Sequence, residues 1–251
     1  EDRILQLDGR GDAMEPLADY THPLVEAKAK ELTANQLTTR AKLERIFRYV
    51  RDDIEFAFPP EGDFVPASKT IRTRRGQCNT KATLFLALCK AADVAARIHF
   101  SLISREIQHG PFRGLLYRLM PAQISHSWIE VEVDGTSRRI DSFINDIAFH
   151  EGAVAEIRRR GWETGFSVTR AGGEPSAELS LDAERFTQMG AVTDDHGVWS
   201  DPADYYSSAL YRNRPSRWKQ LVYLWAIRGA NRRVDAVRRA HRSEGPSQTI
   251  G

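Results

Sequence analysis

The feature that most constrains this chain is residues 78–92, which are apolar on most sides and directly follow a polar loop ending in Gly76 and Gln77. A helix that is apolar all round is buried inside a protein. The sequence therefore predicts a central helix over 78–92 that the rest of the fold must cover. With 251 residues, 41% of them hydrophobic, the chain is long enough to do so without a structural metal or a disulfide.

Periodicity and turn signals predict the elements around this helix. Apolar residues spaced three and four apart indicate helices, and runs rich in Ile, Phe, Leu and Val indicate strands. The predicted helices span 23–32, 39–53, 67–74, 151–160, 181–190, 202–210 and 215–242, and the predicted extended segments span 54–58, 97–104, 125–133 and 138–144. Residues 59–77 and 170–180 are expected to be loops, while the form of 105–122 stays open.

Cys78 stands at the predicted start of the central helix. The free N–H groups and the positive dipole end of a helix stabilise a thiolate, so we expect a lowered pKa for Cys78. The same N–H groups suit a developing oxyanion. Cys89, three turns further along among apolar residues, is predicted only to pack. The two cysteines would lie about 16 Å apart along the axis and cannot pair, which fits a reducing compartment.

A predicted hairpin places a histidine near an aspartate. Residues 134 and 135, Asp-Gly, are a strong signal for a two-residue turn. Counting outward from that turn, Trp128 faces Asp141, and His126 faces Phe143. Since side chains alternate across a strand, all four share one face, and His126 and Asp141 are diagonal neighbours. An imidazole held by a carboxylate is the arrangement that a general base needs, although a strand histidine with a chance acidic neighbour would have the same pattern.

Several segments resemble the bacterial transglutaminase-like superfamily, namely residues 47–54, 68–71, 74–78, 125–135 and 139–141. The resemblance covers roughly residues 38–145. It implies an α+β, papain-like core in which a Cys-bearing helix packs on an antiparallel sheet. It also implies Cys78 as the nucleophile, His126 as the general base and acid, and Asp141 as the orienting group.

The chain departs from the pattern of this family at three places. Asn79, Thr80 and Lys81 follow the cysteine where many relatives have an acidic pair. Phe56 and Phe58 stand where many relatives have a tyrosine. No tryptophan between positions 53 and 76 could supply a side-chain oxyanion donor. The second donor is therefore open, and the weak candidates for oxyanion or substrate binding are Gln77, Asn79 and Trp128.

These observations predict three regions: an N-terminal leader and helix over 1–37, a catalytic core over 38–150, and a C-terminal extension over 151–251 that packs on the core and ends in a basic helix. The expected reaction is cysteine-dependent acyl transfer at an amide or ester carbonyl through a thioester. Hydrolysis of a peptide or small amide is preferred. The alternatives are an amide-forming or cross-linking acyltransferase and an inactive binding or scaffold domain.

Composition limits the other classes of function. Lys and Arg number 36 against 34 Asp and Glu, a balance that does not indicate a nucleic-acid binder. The basic C-terminal helix is expected to be a solvated face; a contact with anionic surfaces through Arg232, Arg233, Arg238 and Arg239 is the less favoured interpretation.

No run reaches the roughly 18–20 apolar residues of a membrane span, and scattered histidines predict no metal and no cofactor. The first residues, which do not include Met, show no signal peptide, so a cytoplasmic location is expected. Oligomeric state and substrate identity stay open.

Overall fold

A computed structural model describes residues 14–214 and 217–244, without the side chains of 217–219 and 244. Its centre is helix α4 (Cys78–Ala91), which packs on a four-stranded antiparallel sheet. The sheet order is β5-β4-β3-β8, with β3 at Ala96–Ser104, β4 at Gln123–Val133, β5 at Thr136–Ile140 and β8 at Val192–Trp199. The α+β fold predicted from the sequence is confirmed. The first 13 residues of the predicted leader and the chain after residue 244 lie outside the described part.

Helix α4 is buried on all sides from Cys78 to Cys89, as its composition predicts. A capping box fixes its first turn, because the Gln77 N–H donates to Thr80 Oγ1 at 2.9 Å while the Gln77 side chain accepts from the backbone of the third helical residue. The helix therefore begins at the cysteine itself.

The predicted β4–β5 hairpin is present in the predicted register. Asp134 and Gly135 have φ angles of 52° and 73°, both in the left-handed region, which matches a type I′ turn. Val133 pairs with Thr136, and Ile129 pairs with Ile140. Strand β5 is shorter than predicted because the chain turns after Ile140. The ring of Phe143 packs on Phe85 of α4 at a centroid distance of 4.9 Å, so Phe143 does not continue the strand.

Strand β8 is the largest difference from the sequence-based expectation. It lies against the free side of β3 and adds the fourth strand to the sheet, with register shifts between His99 and Ser101 and between Leu102 and Ile103. Its residues are mostly polar and half-exposed, so they lack the apolar alternation that predicts a strand. The helix predicted over 181–190 is wrong: the segment is irregular and leads into a short 3₁₀ turn at Met189–Ala191.

The remaining elements surround this centre. The predicted helix over 39–53 consists of an α-helix followed by a π-helical turn, Tyr49–Asp53, and the helix predicted over 151–160 begins four residues earlier, where Asp146 caps it. The short strands β1 and β2 form a parallel pair. The bounds are α1 Pro23–Thr33, α2 Thr39–Arg48, β1 Glu55–Phe56, α3 Ala67–Thr73, β2 Arg75–Gly76, α5 Gly114–Leu119, α6 Ile147–Arg160, β6 Thr164–Gly165, β7 Val168–Thr169, α7 Pro202–Ser207 and α8 Arg217–Glu244.

The C-terminal helix α8 packs on α6 and contributes a buried charge. Arg238 is almost fully buried and contacts the carboxylate of Asp146 at 2.7 Å and the Phe56 carbonyl oxygen at 2.8 Å. Its side chain is therefore not available to an anionic surface. The interpretation that Arg238 contacts such a surface is wrong. Among the described residues, no helix has the length and apolar character needed to cross a membrane.

Candidate active site

Cys78 lies at the first residue of α4 with 8% of its surface exposed. Its thiol donates to Gln77 Oε1 at 3.1 Å, and Sγ lies 3.8 Å from Asn79 Oδ1. Burial raises the pKa of Cys78, and the Asp63 and Asp141 carboxylates raise it further, while the backbone N–H groups of Asn79 and Cys78 lower it. The net direction is opposite to the one expected from the helix dipole, because desolvation outweighs the N–H groups.

Asp63 is a neighbour of the thiol that the sequence analysis missed. Its carboxylate accepts from the Gln77 side-chain amide and, at 2.9 Å, from the Tyr211 hydroxyl. Burial raises the pKa of Asp63, although these donors act in the opposite direction. Gln77 therefore presents its oxygen to the thiol and its nitrogen to Asp63, so it serves here as an acceptor rather than as the oxyanion donor considered above. No local pattern marks Asp63, which lies in a loop distant in sequence from Tyr211.

The Asn79 carboxamide joins the start of α4 to strand β4. Its nitrogen lies 3.4 Å from the Ser125 carbonyl oxygen and 3.3 Å from Ser125 Oγ, and its oxygen accepts from Ser127 Oγ at 3.0 Å. These contacts occupy the side chain that was a candidate oxyanion donor. The backbone N–H of Asn79 is the part of this residue directed at the sulfur.

His126 lies on β4 between the two serines that hold Asn79, and its side chain is fully buried. Within the described part of the chain, neither ring nitrogen has a hydrogen-bond partner. Burial lowers the pKa of His126 to about 3, so the imidazole is neutral near pH 7. A buried polar group without a partner is uncommon in folded proteins and is one mark of a functional group.

Asp141 follows β5 directly and is fully buried. Its carboxylate accepts from the backbone N–H groups of Thr187 at 2.7 Å, Gln188 at 2.7 Å and Met189 at 3.0 Å. Burial raises its pKa to about 6, against the effect of these three donors. The carboxylate is close enough to Cys78 to affect the thiol pKa. Among the described residues, no hydrogen bond joins Cys78, His126 and Asp141 to one another.

Trp128 stacks on the ring of His99 at a centroid distance of 4.1 Å and is buried. His99 in turn contacts Glu130 at 2.7 Å and Asp195 at 2.6 Å. Trp128 does not line the cleft at Cys78. Its position favours packing between β4 and β3 over substrate binding.

A narrow cleft with a cavity volume of about 10 Å³ reaches the Cys78 thiol. Aromatic, aliphatic, amide and hydroxyl side chains line it together with Cys78: Phe56, Phe58, Gln77, Ile103, Ile107, Gln108, Ile124, Ser167 and Gln188. A larger groove, with a cavity volume of about 290 Å³, lies between α2 and residues 178–182. That groove has charged walls and holds no cysteine, so we assign the chemistry to the smaller cleft.

The described residues contain no group of three or more His, Cys, Asp and Glu side chains arranged to hold a metal ion.

Comparison with known proteins gives one family match and several solved structures, two of which are described below. Residues 26–138 match the family described as the Transglutaminase-like superfamily. No curated protein matches the chain. A candidate cysteine protease from Cytophaga hutchinsonii shares 18% identity over 56% of this chain and 44% of its own, with a TM-score of 0.37. A candidate protease from Parabacteroides distasonis shares 15% identity over 56% of this chain and 31% of its own, with a TM-score of 0.35. The chain thus spans less than half of either protein.

Proposed function

We propose, from the match of residues 26–138 to the Transglutaminase-like superfamily, that the chain is a cysteine-dependent acyl-transfer enzyme. The nucleophile is Cys78, the general base and acid is His126, and the orienting group is Asp141. One observation carries the proposal: a thiol opens the central helix and lines a cleft, while strand β4 under that helix start holds a buried neutral imidazole with no partner among the described residues.

The reaction begins with a neutral thiol, because burial raises the pKa of Cys78. His126 accepts the thiol proton as Sγ forms a bond to the carbonyl carbon of an amide. The oxygen of the tetrahedral intermediate then carries the negative charge. The backbone N–H groups of Cys78 and Asn79, which already stabilise negative charge on sulfur, are suited to stabilise it.

The intermediate collapses by breaking the carbon–nitrogen bond. His126 donates its proton to the leaving amine, and a thioester remains on Cys78. Water then adds to the thioester carbonyl while His126 accepts a proton from that water. When the carbon–sulfur bond breaks, the carboxylic acid leaves and the proton returns to the thiolate. Each transfer uses the one imidazole, whose acid–base role contributes about 10²–10⁴ in rate.

Asp141 would orient the imidazole with the acceptor capacity that it retains. Its Oδ1 accepts one backbone N–H and its Oδ2 accepts two. A carboxylate oxygen accepts about two hydrogen bonds, so Oδ1 has one site left for an imidazole N–H. The three amides also hold the carboxylate in place and offset part of its desolvation.

Hydrolysis of a peptide or small amide is the preferred direction because it needs no second substrate site. The two free thiols suit a reducing compartment, and we place the activity in the cytoplasm. We further propose that residues 38–150 form the catalytic core and that residues 151–251 complete it.

Trapping of the thioester tests the proposal. The full chain is mixed with small peptide amides and esters, quenched in acid, and measured by intact mass and peptide mapping. We expect an added acyl mass on Cys78, its absence in Cys78→Ala, and its retention in Cys89→Ala. An unmodified Cys78 with every substrate would leave the inactive-domain alternative. Full turnover by Cys78→Ala would contradict Cys78 as the nucleophile. With an added primary amine, formation of an amide in place of the acid would identify the amide-forming alternative.

A further inference from the structure

Two apolar walls flank the Cys78 thiol in the cleft. Phe56 and Phe58 form one wall, and their rings pack edge to face at a centroid distance of 5.4 Å. The other wall is a cluster of three buried isoleucines, Ile103, Ile107 and Ile124, which is separate from the main hydrophobic core. All three isoleucines line the cleft, so their side chains contribute apolar surface to it.

The aromatic wall is fixed by side chains from outside the matched family region. Asn231 of α8 accepts from the Phe58 N–H at 2.9 Å and donates to the Phe58 carbonyl oxygen at 3.0 Å. Asp146 accepts from the Phe56 N–H at 2.9 Å, and Arg238 donates to the Phe56 carbonyl oxygen at 2.8 Å. Paired hydrogen bonds of this kind hold the wall in one position, so the cleft selects by a defined shape.

The cleft offers no partner for a charged group. Apart from the thiol, its lining has no ionisable side chain. The nearest charges that act on Cys78 are the carboxylates of Asp63 and Asp141, which would repel an acidic substrate group. A cation would lose its hydration among phenyl and isoleucine side chains, and Asp63 already accepts from Gln77 and Tyr211.

One polar group in the lining is free to bind a substrate backbone. The side-chain amides of Gln77 and Gln188 are bonded to Asp63 and to Ser167, respectively. Within the described part of the chain, the Gln108 carboxamide has no side-chain hydrogen bond, and the residue is half-buried at the cleft. A carboxamide both donates and accepts, which matches the N–H and C=O of a peptide unit.

We propose that this cleft binds an acyl group with an uncharged, apolar side chain of moderate size, and that Gln108 binds the adjoining peptide unit. This inference rests on the proposed acyl transfer at Cys78 and specifies its substrate class. The cavity volume of about 10 Å³ is room for about one water molecule, so the isoleucine side of the cleft must open to admit the acyl side chain while the aromatic side stays in place.

A series of N-acylated amino-acid amides with one common fluorogenic amine tests the substrate class. The acyl residue is leucine, glutamine, lysine or glutamate. We expect kcat/KM for leucine to exceed that for glutamine at least tenfold and those for lysine and glutamate at least a hundredfold. Equal or faster turnover of either charged residue would overturn the specificity while leaving acyl transfer intact. No acylation of Cys78 by any member would instead contradict the proposed function.

Variants of the isoleucine wall separate specificity from folding. Ile124→Ala enlarges the cleft and should shift the preference from leucine toward phenylalanine at least fivefold, with thermal unfolding followed in parallel. Ile124→Lys should reverse the order of leucine and glutamate. The control, Leu37→Lys, adds the same charge at a residue that is 97% exposed, and it should change neither preference. An unchanged preference in a folded Ile124→Ala protein would refute the assignment of this wall.

Gln108 is tested by Gln108→Leu, which keeps the size of the side chain and removes its polar atoms. We expect KM for the peptide amides to rise about tenfold with kcat nearly unchanged, and no change for a simple ester that lacks the adjoining peptide unit. An equal rise for both substrates would show that Gln108 shapes the cleft rather than binding a peptide.

Discussion

Helix α4 carries a buried cysteine near each of its ends, and the two cysteines have different surroundings. At the first turn, Cys78 lies among Gln77, Asn79 and Asp63, whose polar groups reach the sulfur or its neighbours. Three turns later, Cys89 lies in the apolar core with no exposure. Burial raises the pKa of both thiols, and for Cys89 it is the one cause identified.

The comparison teaches that burial does not distinguish a reactive thiol from a packing thiol. What differs is the surrounding chemistry: backbone N–H groups and a cleft at one end, and burial alone at the other. We therefore expect substitutions at the first turn to change reactivity and substitutions at the apolar end to change stability.

The largest expected effect separates the two cysteines directly. Cys78→Ala should lower kcat/KM by about 10³-fold or more, because the covalent route is lost. Cys89→Ala should stay within threefold of the wild-type rate and lower the free energy of unfolding by about 1 kcal/mol. Steady-state kinetics and urea unfolding measure both quantities. Equal losses of activity in the two variants would contradict the assignment of Cys78 to chemistry and Cys89 to packing.

A shortened side chain in the apolar part of α4 tests whether substitutions there change stability rather than activity. Leu86→Ala leaves a cavity under a fully buried side chain and should lower the free energy of unfolding by about 2–5 kcal/mol. The kcat per folded molecule should stay near wild type. Chemical denaturation with active-site titration checks this, and a loss of kcat in fully folded protein would show that packing and chemistry are not separable along α4.

His126 should give the polar end a pH dependence that the apolar end lacks. Its folded-state pKa of about 3 lies below the unfolded value of about 6.5, so its contribution to stability is present above pH 6.5 and is lost as the pH falls toward 3. Asp141 acts in the opposite direction, because its raised pKa of about 6 makes protonation stabilising as the pH falls from 6 to 4. The difference between wild type and His126→Gln isolates the first effect.

Between pH 7 and pH 5, the stability of the wild type relative to His126→Gln should fall by about 2 kcal/mol. Urea unfolding of both proteins at the two pH values measures this difference. A constant difference would mean that the imidazole is not a buried neutral group.

The smallest expected effect concerns the capping box. Thr80→Val removes the hydroxyl that accepts the Gln77 N–H, and it should lower the free energy of unfolding by about 1 kcal/mol. Thr83→Val is the matched control, because its hydroxyl only adds a second donor to the Asn79 carbonyl. It should change stability by less than about half of that. Thermal unfolding distinguishes the two, and equal effects would show that the first turn is not specially fixed.

The first turn and the hairpin could be predicted from local sequence. A polar loop that changes abruptly into an apolar run marks Cys78 as the first helical residue, and Asp134 with Gly135 can adopt the left-handed angles that fix the register. Both signals come from residues adjacent in the chain. The α+β architecture followed from them and from the family resemblance.

The contacts that surround the catalytic candidates could not be predicted in this way. Asp63 reaches Gln77 and Tyr211 across large separations in sequence, and the amides of 187–189 reach Asp141 through backbone atoms that carry no side-chain signal. Strand β8 is polar and half-exposed, so its pattern does not indicate a strand. The direction of the Cys78 pKa depends on burial, which a helix-start argument does not include.

The most direct test of the account is the rate at which iodoacetamide labels each cysteine as a function of pH, in the wild type and in His126→Gln. Cys89 in the same molecule is the internal reference for exposure. The account predicts that Cys78 is labelled faster than Cys89 in the wild type and that His126→Gln slows Cys78 at least tenfold without changing Cys89. Labelling of Cys78 that is independent of residue 126 at every pH would contradict it.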